Sequence, residues 1–167
     1  MGTKALFIGR FQPFHLGHLN AIKQILKECD EIIIGIGSAQ YSNTKENPLP
    51  YNLRQMIIEE ALQKEKVHHF TIMKINDLNN DAKWVRRVLS IVGPIDVVYS
   101  GNSWVKKLFT TAGITVKNPR FIIPITGTIE RQMIIEDHKR WRGYLHPTTV
   151  KILQEHKGLE AIKQRRK

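Results

Sequence analysis

Arg10, His15 and His18 stand within nine residues in "GRFQPFHLGH" (9–18), with Gly9, Pro13 and Gly17 set between them. Each residue type has a use at an anion. Arginine offers phosphate a bidentate fork of donors. Two imidazoles three apart share one face of a helical turn. A helix N-terminus adds free N–H groups and the positive end of a dipole. Gly9 permits close backbone approach, Pro13 suits a helix entry, and Gly17 withholds a side chain from the face a ligand would use. Two other readings of these residues stand beside phosphate binding. A structural turn uses the glycines and proline but needs neither histidine nor Arg10. A zinc pair needs further ligands, and His68, His69, His138, His146 and His156 are remote and lack ligand spacing. A dinucleotide fingerprint is excluded, because Gly-x-Gly-x-x-Gly is absent.

These side chains need a strand to deliver them and a helix to receive them. "KALFIG" (4–9) reads as a buried strand. Residues 15–29 read as a helix, where Leu16, Leu19, Ile22, Leu26 and Cys29 recur every three or four positions. "EIIIGIG" (31–37), "HFTIMKI" (69–75) and "IDVVYSGN" (95–102) are further strands, the last running into a glycine turn. Residues 114–117 form a weaker strand, followed by the apolar "RFIIP" (120–124). Helices are expected near 52–64, 81–92, 103–111, 127–137 and 147–164, and "NTKENPLP" (43–50) is a loop. Strand and helix in alternation imply parallel βαβ units. The fold expected is a single Rossmann-like, doubly wound α/β sheet with helices on both faces and a helical C-terminus, about 138–167. Ligands in such sheets bind outside the carboxyl ends of the strands. Gly9, Gly35–Ser38 and Ser100–Asn102 are therefore the turns expected at the site. No linker, repeat or low-complexity segment divides the chain, so one domain, 1–167, is expected.

The charge agrees with an anionic partner. There are 26 basic and 15 acidic residues, a net charge of +11. A polyphosphate nucleotide or a nucleic acid would each answer that charge. "HKRWR" (138–142) and "KQRRK" (163–167) carry part of it and read as solvated helix faces. The chain lacks the basic segments interleaved with aromatics that single-strand binders use. Hydrophobic residues make up 41%, enough for a full core. One cysteine, no secretory pattern and no apolar run of about 20 residues point to a cytoplasmic protein without a membrane span.

"GRFQPFHLGH" resembles the G-x-F-x-P-x-H-x-G-H signature of the nucleotidyltransferase superfamily. "ITGTIER" (125–131) is similar to its I-S-x-T-x-x-R motif, with Thr126 in place of serine and able to cap a helix. Three more segments resemble the archaeal-type nicotinamide mononucleotide (NMN) adenylyltransferases: "EIIIGIGSAQYSNTKENP" (31–48), "NDLNNDAKWV" (76–85) and "VVYSGNSWV" (97–105). The chain departs from that pattern at Asn43, Asn79 and Asp81, and "PYNLR" keeps only Arg54 of a T-A-G-E-R helix start.

The resemblance implies transfer of AMP from ATP to the 5′-phosphate of NMN, giving NAD and pyrophosphate. It implicates His15, His18, Arg10 and Arg131 in catalysis. ATP would meet Gly9, Arg10, Phe11, Gln12, His15, Gly17, His18, Gly101, Asn102, Thr126, Thr128 and Arg131. NMN would meet Ser38, Gln40, Asp77 and Trp84. For Trp84, spacing alone equally fits a core residue beside Val85, Val88 and Leu89; Trp104 and Trp141 read as packing or interface residues. Arg131 could alternatively pair with Glu130 or Asp137. Mg²⁺ or a similar ion would ride on the phosphates without a protein cage, and the resemblance implies a homo-oligomer, a hexamer in many members. A phosphate monoester has its second pKa near ~6 and is already anionic at neutral pH, so no general base is required. Related transferases act on FMN, phosphopantetheine or, with CTP, glycerol phosphate, and these remain alternative acceptors. A nucleic-acid-binding module is the rival from another class. Class I aminoacyl-tRNA synthetases share an H-x-G-H turn, but no K-M-S-K-S-like loop is visible here.

Overall fold

The computed structural model describes residues 2–164. Five strands form one sheet: β1 (Lys4–Gly9), β2 (Glu31–Ile36), β3 (Phe70–Lys74), β4 (Val97–Tyr99) and β5 (Val116–Lys117). Between them run α1 (Leu16–Glu28), α2 (Tyr51–Lys64), α3 (Asp81–Val92) and α4 (Ser103–Thr111). After β5 come α5 (Gly127–Ile135), a 3-10 segment (Lys139–Tyr144), α6 (Pro147–Glu155) and α7 (Gly158–Lys163). Every strand pair is parallel, in the order β3-β2-β1-β4-β5, as the alternating pattern requires.

That order places a switch point beside β1. The chain winds outward through β2 and β3, then returns to lay β4 on the other side of β1. The two loops leaving β1 and β4 diverge there and open a crevice at the carboxyl edge. Strand alternation builds a core on each face. Ala5 and Phe7 pack with Ile22, Ile34 and Ile57 on one side. Leu6 and Ile33 pack with Trp84, Val88 and Phe109 on the other.

Three details differ from the sequence reading. The expected helix over 147–164 is two helices, broken at Lys157, whose φ is 59°. Gly158 allows the break, because a Cβ there would lie 2.5 Å from Leu153 Cδ2. Of the segment expected to run from strand into glycine turn over 95–102, the strand itself is Val97–Tyr99. "HKRWR" is no plain solvated face: Trp141 is buried and Arg142 lies over its ring at 4.5 Å. Of the basic tail, residues 165–167 lie outside the described residues.

Candidate active site

β1 ends at Gly9 and the chain turns sharply before α1. Phe11 adopts φ 54° and tucks its ring over Gly9, where a Cβ would stand 3.0 Å away. His15 is the N-cap of α1. Its Nδ1 accepts the backbone N–H of His18 at 3.3 Å, and His18 Nδ1 accepts the backbone N–H of His15 at 3.1 Å. This is the reciprocal capping box usually built from Ser or Thr with Glu, made here from two imidazoles.

The geometry fixes the tautomers. A backbone amide can only donate, so both Nδ1 atoms are acceptors and each neutral ring carries its proton on Nε2. The rings stack with centroids 3.6 Å apart. Burial lowers the His15 pKa to about 4. Burial and the neighbouring His15 push His18 well below its usual value of 6.5. At neutral pH the pair is therefore two neutral N–H donors with no free ring lone pair. Neither ring is set up as a base or a nucleophile. Gly17 makes the stack possible: a Cβ there would lie 2.8 Å from His15 Cε1. The clearance it provides is for the imidazole, where the sequence reading gave it to the ligand.

His18 lies on the wall shared by two cavities. The larger, about 420 Å³, runs along the carboxyl edge past Gly9, Arg10, Ser38, Asp77, Trp84, Gly101, Asn102 and Trp104. The smaller, about 320 Å³, has His15, Pro124, Ile125 and Thr126 on its walls. Phe121 borders both. Two helix N-termini face this region, each capped by the residue just before it. Asn102 Oδ1 accepts from Trp104 N (2.9 Å) and Val105 N (3.1 Å), and Thr126 Oγ1 accepts from Ile129 N (3.1 Å).

Three guanidinium groups gather about the turn. Arg10 is exposed at the larger cavity. Arg54 is wholly buried and donates to the carbonyls of Arg10 (3.0 Å), Gly37 (2.9 Å), Ser38 (3.2 Å) and Tyr41 (3.4 Å). It thereby ties the exit of β1 to the exit of β2 and holds Ser38 at φ 47°. Burial, then the charge of Arg10, lower its pKa to about 10. Burial and the same Arg10 charge also lower Arg131. Like charges held this close leave a positive field suited to an anion. Sequence reasoning kept Arg54 only as part of a motif, because bonds to distant carbonyls leave no periodic signal.

Several expected contacts are differently employed. Gln12 is buried and spends its amide on the Leu49 backbone, donating to the carbonyl (3.0 Å) and accepting the N–H (2.9 Å). Phe11 is a packing residue, edge-on to His18 at 4.8 Å. Arg131 is 9% exposed and donates to the Gln12 carbonyl at 2.9 Å and to Thr128 Oγ1 at 3.4 Å. It fastens α5 to the β1–α1 turn. Neither ion pair considered for it forms: Asp137 binds Lys163 (2.6 Å), and both oxygens of the buried Glu130 lack a partner.

At the far end, Ser38 Oγ donates to Asp77 Oδ2 at 2.7 Å. Gln40 closes a two-bond ring with the Asp77 backbone, both bonds 3.0 Å, and stands behind Asp77. Trp84 is 2% exposed and its indole N–H has no partner. Among the described residues no group of three or more His, Cys, Asp or Glu is arranged to hold a metal ion. No helix there is long and apolar enough to cross a membrane.

Comparison with known proteins finds relatives over most of the chain. The cytidylyltransferase-like family model matches residues 6–145. The chain is 39% identical over 163 residues to a nicotinamide-nucleotide adenylyltransferase of Thermoplasma volcanium, covering 96% of this chain and 91% of that one. It is 40% identical to the protein of that name from Methanococcus aeolicus, covering 96% and 94%. Its fold is similar to that of a bifunctional NMN adenylyltransferase/ADP ribose pyrophosphatase from Francisella tularensis, solved with AMP and a manganese ion. There the TM-score is 0.77 at 23% identity, and the match covers 98% of this chain and about half (51%) of the longer one. The chain belongs to the cytidylyltransferase-like family, among its nicotinamide-nucleotide adenylyltransferases.

Proposed function

We propose that this chain, as one domain over residues 1–167, transfers AMP from ATP to the 5′-phosphate of NMN, releasing pyrophosphate and forming NAD. The observation that carries the reading is the His15–His18 pair, locked as two neutral Nε2–H donors on the wall between two cavities. Relatives near 40% identity over almost the whole length support it.

In this reading the triphosphate lies across the N-terminus of α1. His15 and His18 donate to its oxygens, and Arg10 supplies an exposed positive charge. Gly9, Gly17, Gly101, Asn102 and Thr126 shape the backbone around the nucleotide; Phe11, Gln12, Thr128 and Arg131 hold that backbone in place. Ser38, Asp77 and Trp84 bound the acceptor end, with Gln40 fixing Asp77. The NMN phosphate attacks the α-phosphorus in line, the bond to the bridging oxygen breaks, and pyrophosphate leaves with the electron pair. The protein's contribution is positioning and charge stabilisation. Donors suit phosphate oxygens and not a metal, so the residues fit an ion that arrives on the nucleotide. Mg²⁺ so bound would neutralise charge on the phosphates. A cytoplasmic homo-oligomer, a hexamer in its fullest form, belongs to the same reading.

The test is pyrophosphate release from ATP and from CTP with NMN, FMN, phosphopantetheine and glycerol phosphate. ATP with NMN should be preferred by orders of magnitude. Preference for CTP or another acceptor would overturn the proposal.

A further inference from the structure

Charge is unevenly divided over the surface. Between Ala82 and Ile129 the chain has seven basic residues and one acidic residue, Asp96. Asp96 is spent at the amino edge of the sheet, where it accepts the Lys4 N–H at 2.7 Å. Five of the seven cations fall on α3 and α4: Lys83, Arg86, Arg87, Lys106 and Lys107. These helices pack side by side on one face of the sheet and turn Trp84, Val85, Val88, Val105 and Phe109 inward. Lys83, Arg86, Arg87 and Lys107 are left exposed, with Lys106 partly covered. Helices elsewhere mix their charges. α6 pairs Lys151 with Glu155, α7 brings Lys163 to Asp137, and Lys23 of α1 meets Glu65 at the end of α2. Among the described residues, none of the five cations on α3 and α4 has an ion-pair partner. Lys83 stands three and four residues from Arg86 and Arg87, so like charges crowd one helical face at a cost to the helix. An external anion relieves that repulsion.

We infer that the outer face of α3 and α4 binds the phosphate backbone of duplex nucleic acid, without reading its sequence. This is independent of the NMN reading and adds a second partner to it. Ser90, Ser103 and Thr110 are exposed on the same two helices. Lysine, arginine and hydroxyl side chains are the types that contact phosphate. Of the large apolar side chains on these helices only Trp104, at the cavity end of α4, is exposed. A protein partner would want an apolar centre to the patch. A membrane surface would want apolar side chains beside the cations. Unpaired bases would want a row of aromatic platforms. The regular backbone of a duplex needs none of these, only cations and donors on an open face. A second copy of this same face would be repelled by it.

The experiment is fluorescence anisotropy of a labelled, mixed-sequence duplex of about 20 base pairs, titrated with the full chain at salt from about 50 to 300 mM. Four neutralised phosphates predict a slope of log K against log salt of about −4, and a Kd of about 10⁻⁶–10⁻⁴ M at physiological salt. Lys83→Gln, Arg86→Gln, Arg87→Gln and Lys107→Gln combined should weaken binding on the order of 100-fold at the lowest salt and remove most of the slope. Lys64→Gln, Lys139→Gln, Arg140→Gln and Lys151→Gln combined take the same charge from other faces and should cost only a few-fold. Both should keep the wild-type rate with ATP and NMN, since none of these side chains lines either cavity. Arg86→Gln and Arg87→Gln made singly should each reduce the slope by about 1, which covers the case of a fourfold variant that does not fold. The inference is overturned by no binding at the lowest salt, by equal losses in the two fourfold variants, or by unchanged slopes in the single ones. Displacement of the duplex by NMN at constant salt would place it in the catalytic cavity and overturn the inference too. So would tighter binding to polyglutamate, to anionic lipid vesicles or to single-stranded DNA than to the duplex.

Discussion

Replacing His15 by serine separates two jobs that one imidazole performs. Nδ1 caps α1 by accepting the His18 N–H, and Nε2–H remains for phosphate. Serine is among the best N-caps and can accept the same N–H, but it is too short to donate at the cavity. His15→Ala loses both functions. Loss of the cap costs about 1 kcal/mol, and the imidazole is only 2% exposed, so its removal also leaves a void. His15→Ala should therefore have a lower Tm than His15→Ser. Turnover should fall in both by about 10²–10³, the usual effect of losing one preorganised donor. Gly17 provides a second arm. Its Cβ would press on His15 Cε1 at 2.8 Å, so Gly17→Ala must displace the ring. Misplacement of about 1 Å in such a site costs on the order of 10²-fold in rate. In the His15→Ser background that obstruction is gone, and alanine is better in a helix by about 1 kcal/mol. There Gly17→Ala should raise Tm without further loss of turnover. The assay is calorimetry and NAD formation on the single and double variants. Near wild-type turnover in His15→Ser would refute the donor role. Equal harm from Gly17→Ala in both backgrounds would refute the steric link.

Other predictions follow from buried charge. Between pH 6.5 and about 4 the unfolded chain takes up a proton at His15 that the folded protein refuses. Stability should be full above pH 6.5 and fall by about 3 kcal/mol toward pH 4 from His15 alone, and urea titrations should show a shallower slope for His15→Ser. Burial raises the Glu130 pKa to about 8, so its carboxyl weakens the fold as pH rises from 4.5 through 8. Glu130→Gln should stabilise at pH 8 on the order of 2 kcal/mol, after allowance for screening, and little at pH 5; equal effects at both would contradict the burial argument. Arg54→Met strips four carbonyls of their donor and should cost about 3 kcal/mol or more. Arg54→Lys should raise KM for both substrates, because one ammonium cannot span the exits of β1 and β2; kinetics like wild type would refute that role.

The framework was legible because it rests on periodicity. Apolar runs at Lys4–Gly9 and Glu31–Ile36 and the three-four spacing of α1 are consequences of burying one face, and burial is what periodicity records. The phosphate turn was legible because its residue types are costly anywhere else. What stayed hidden depends on bonds between distant points of the chain. Gln12 meets Leu49, Arg54 meets Arg10 and Arg131 meets Gln12, each side chain to backbone across a fold that spacing does not encode. Residues 129 and 130 invert the pattern outright, with Ile129 half exposed and Glu130 buried. Trp104 was read as a packing or interface residue because exposure at a cavity depends on where β4 ends.

Direct displacement is the step on which the account turns. With Nδ1 held by a backbone amide and Nε2 protonated, neither histidine has a lone pair with which to accept AMP. The NMN phosphate must attack on its own. ATP made chiral at the α-phosphorus with sulfur, turned over with NMN, reports the number of displacements in the configuration of the product. A single direct transfer predicts inversion. Retention would mean two displacements through an adenylylated side chain and would contradict the assignment of His15 and His18 as neutral donors.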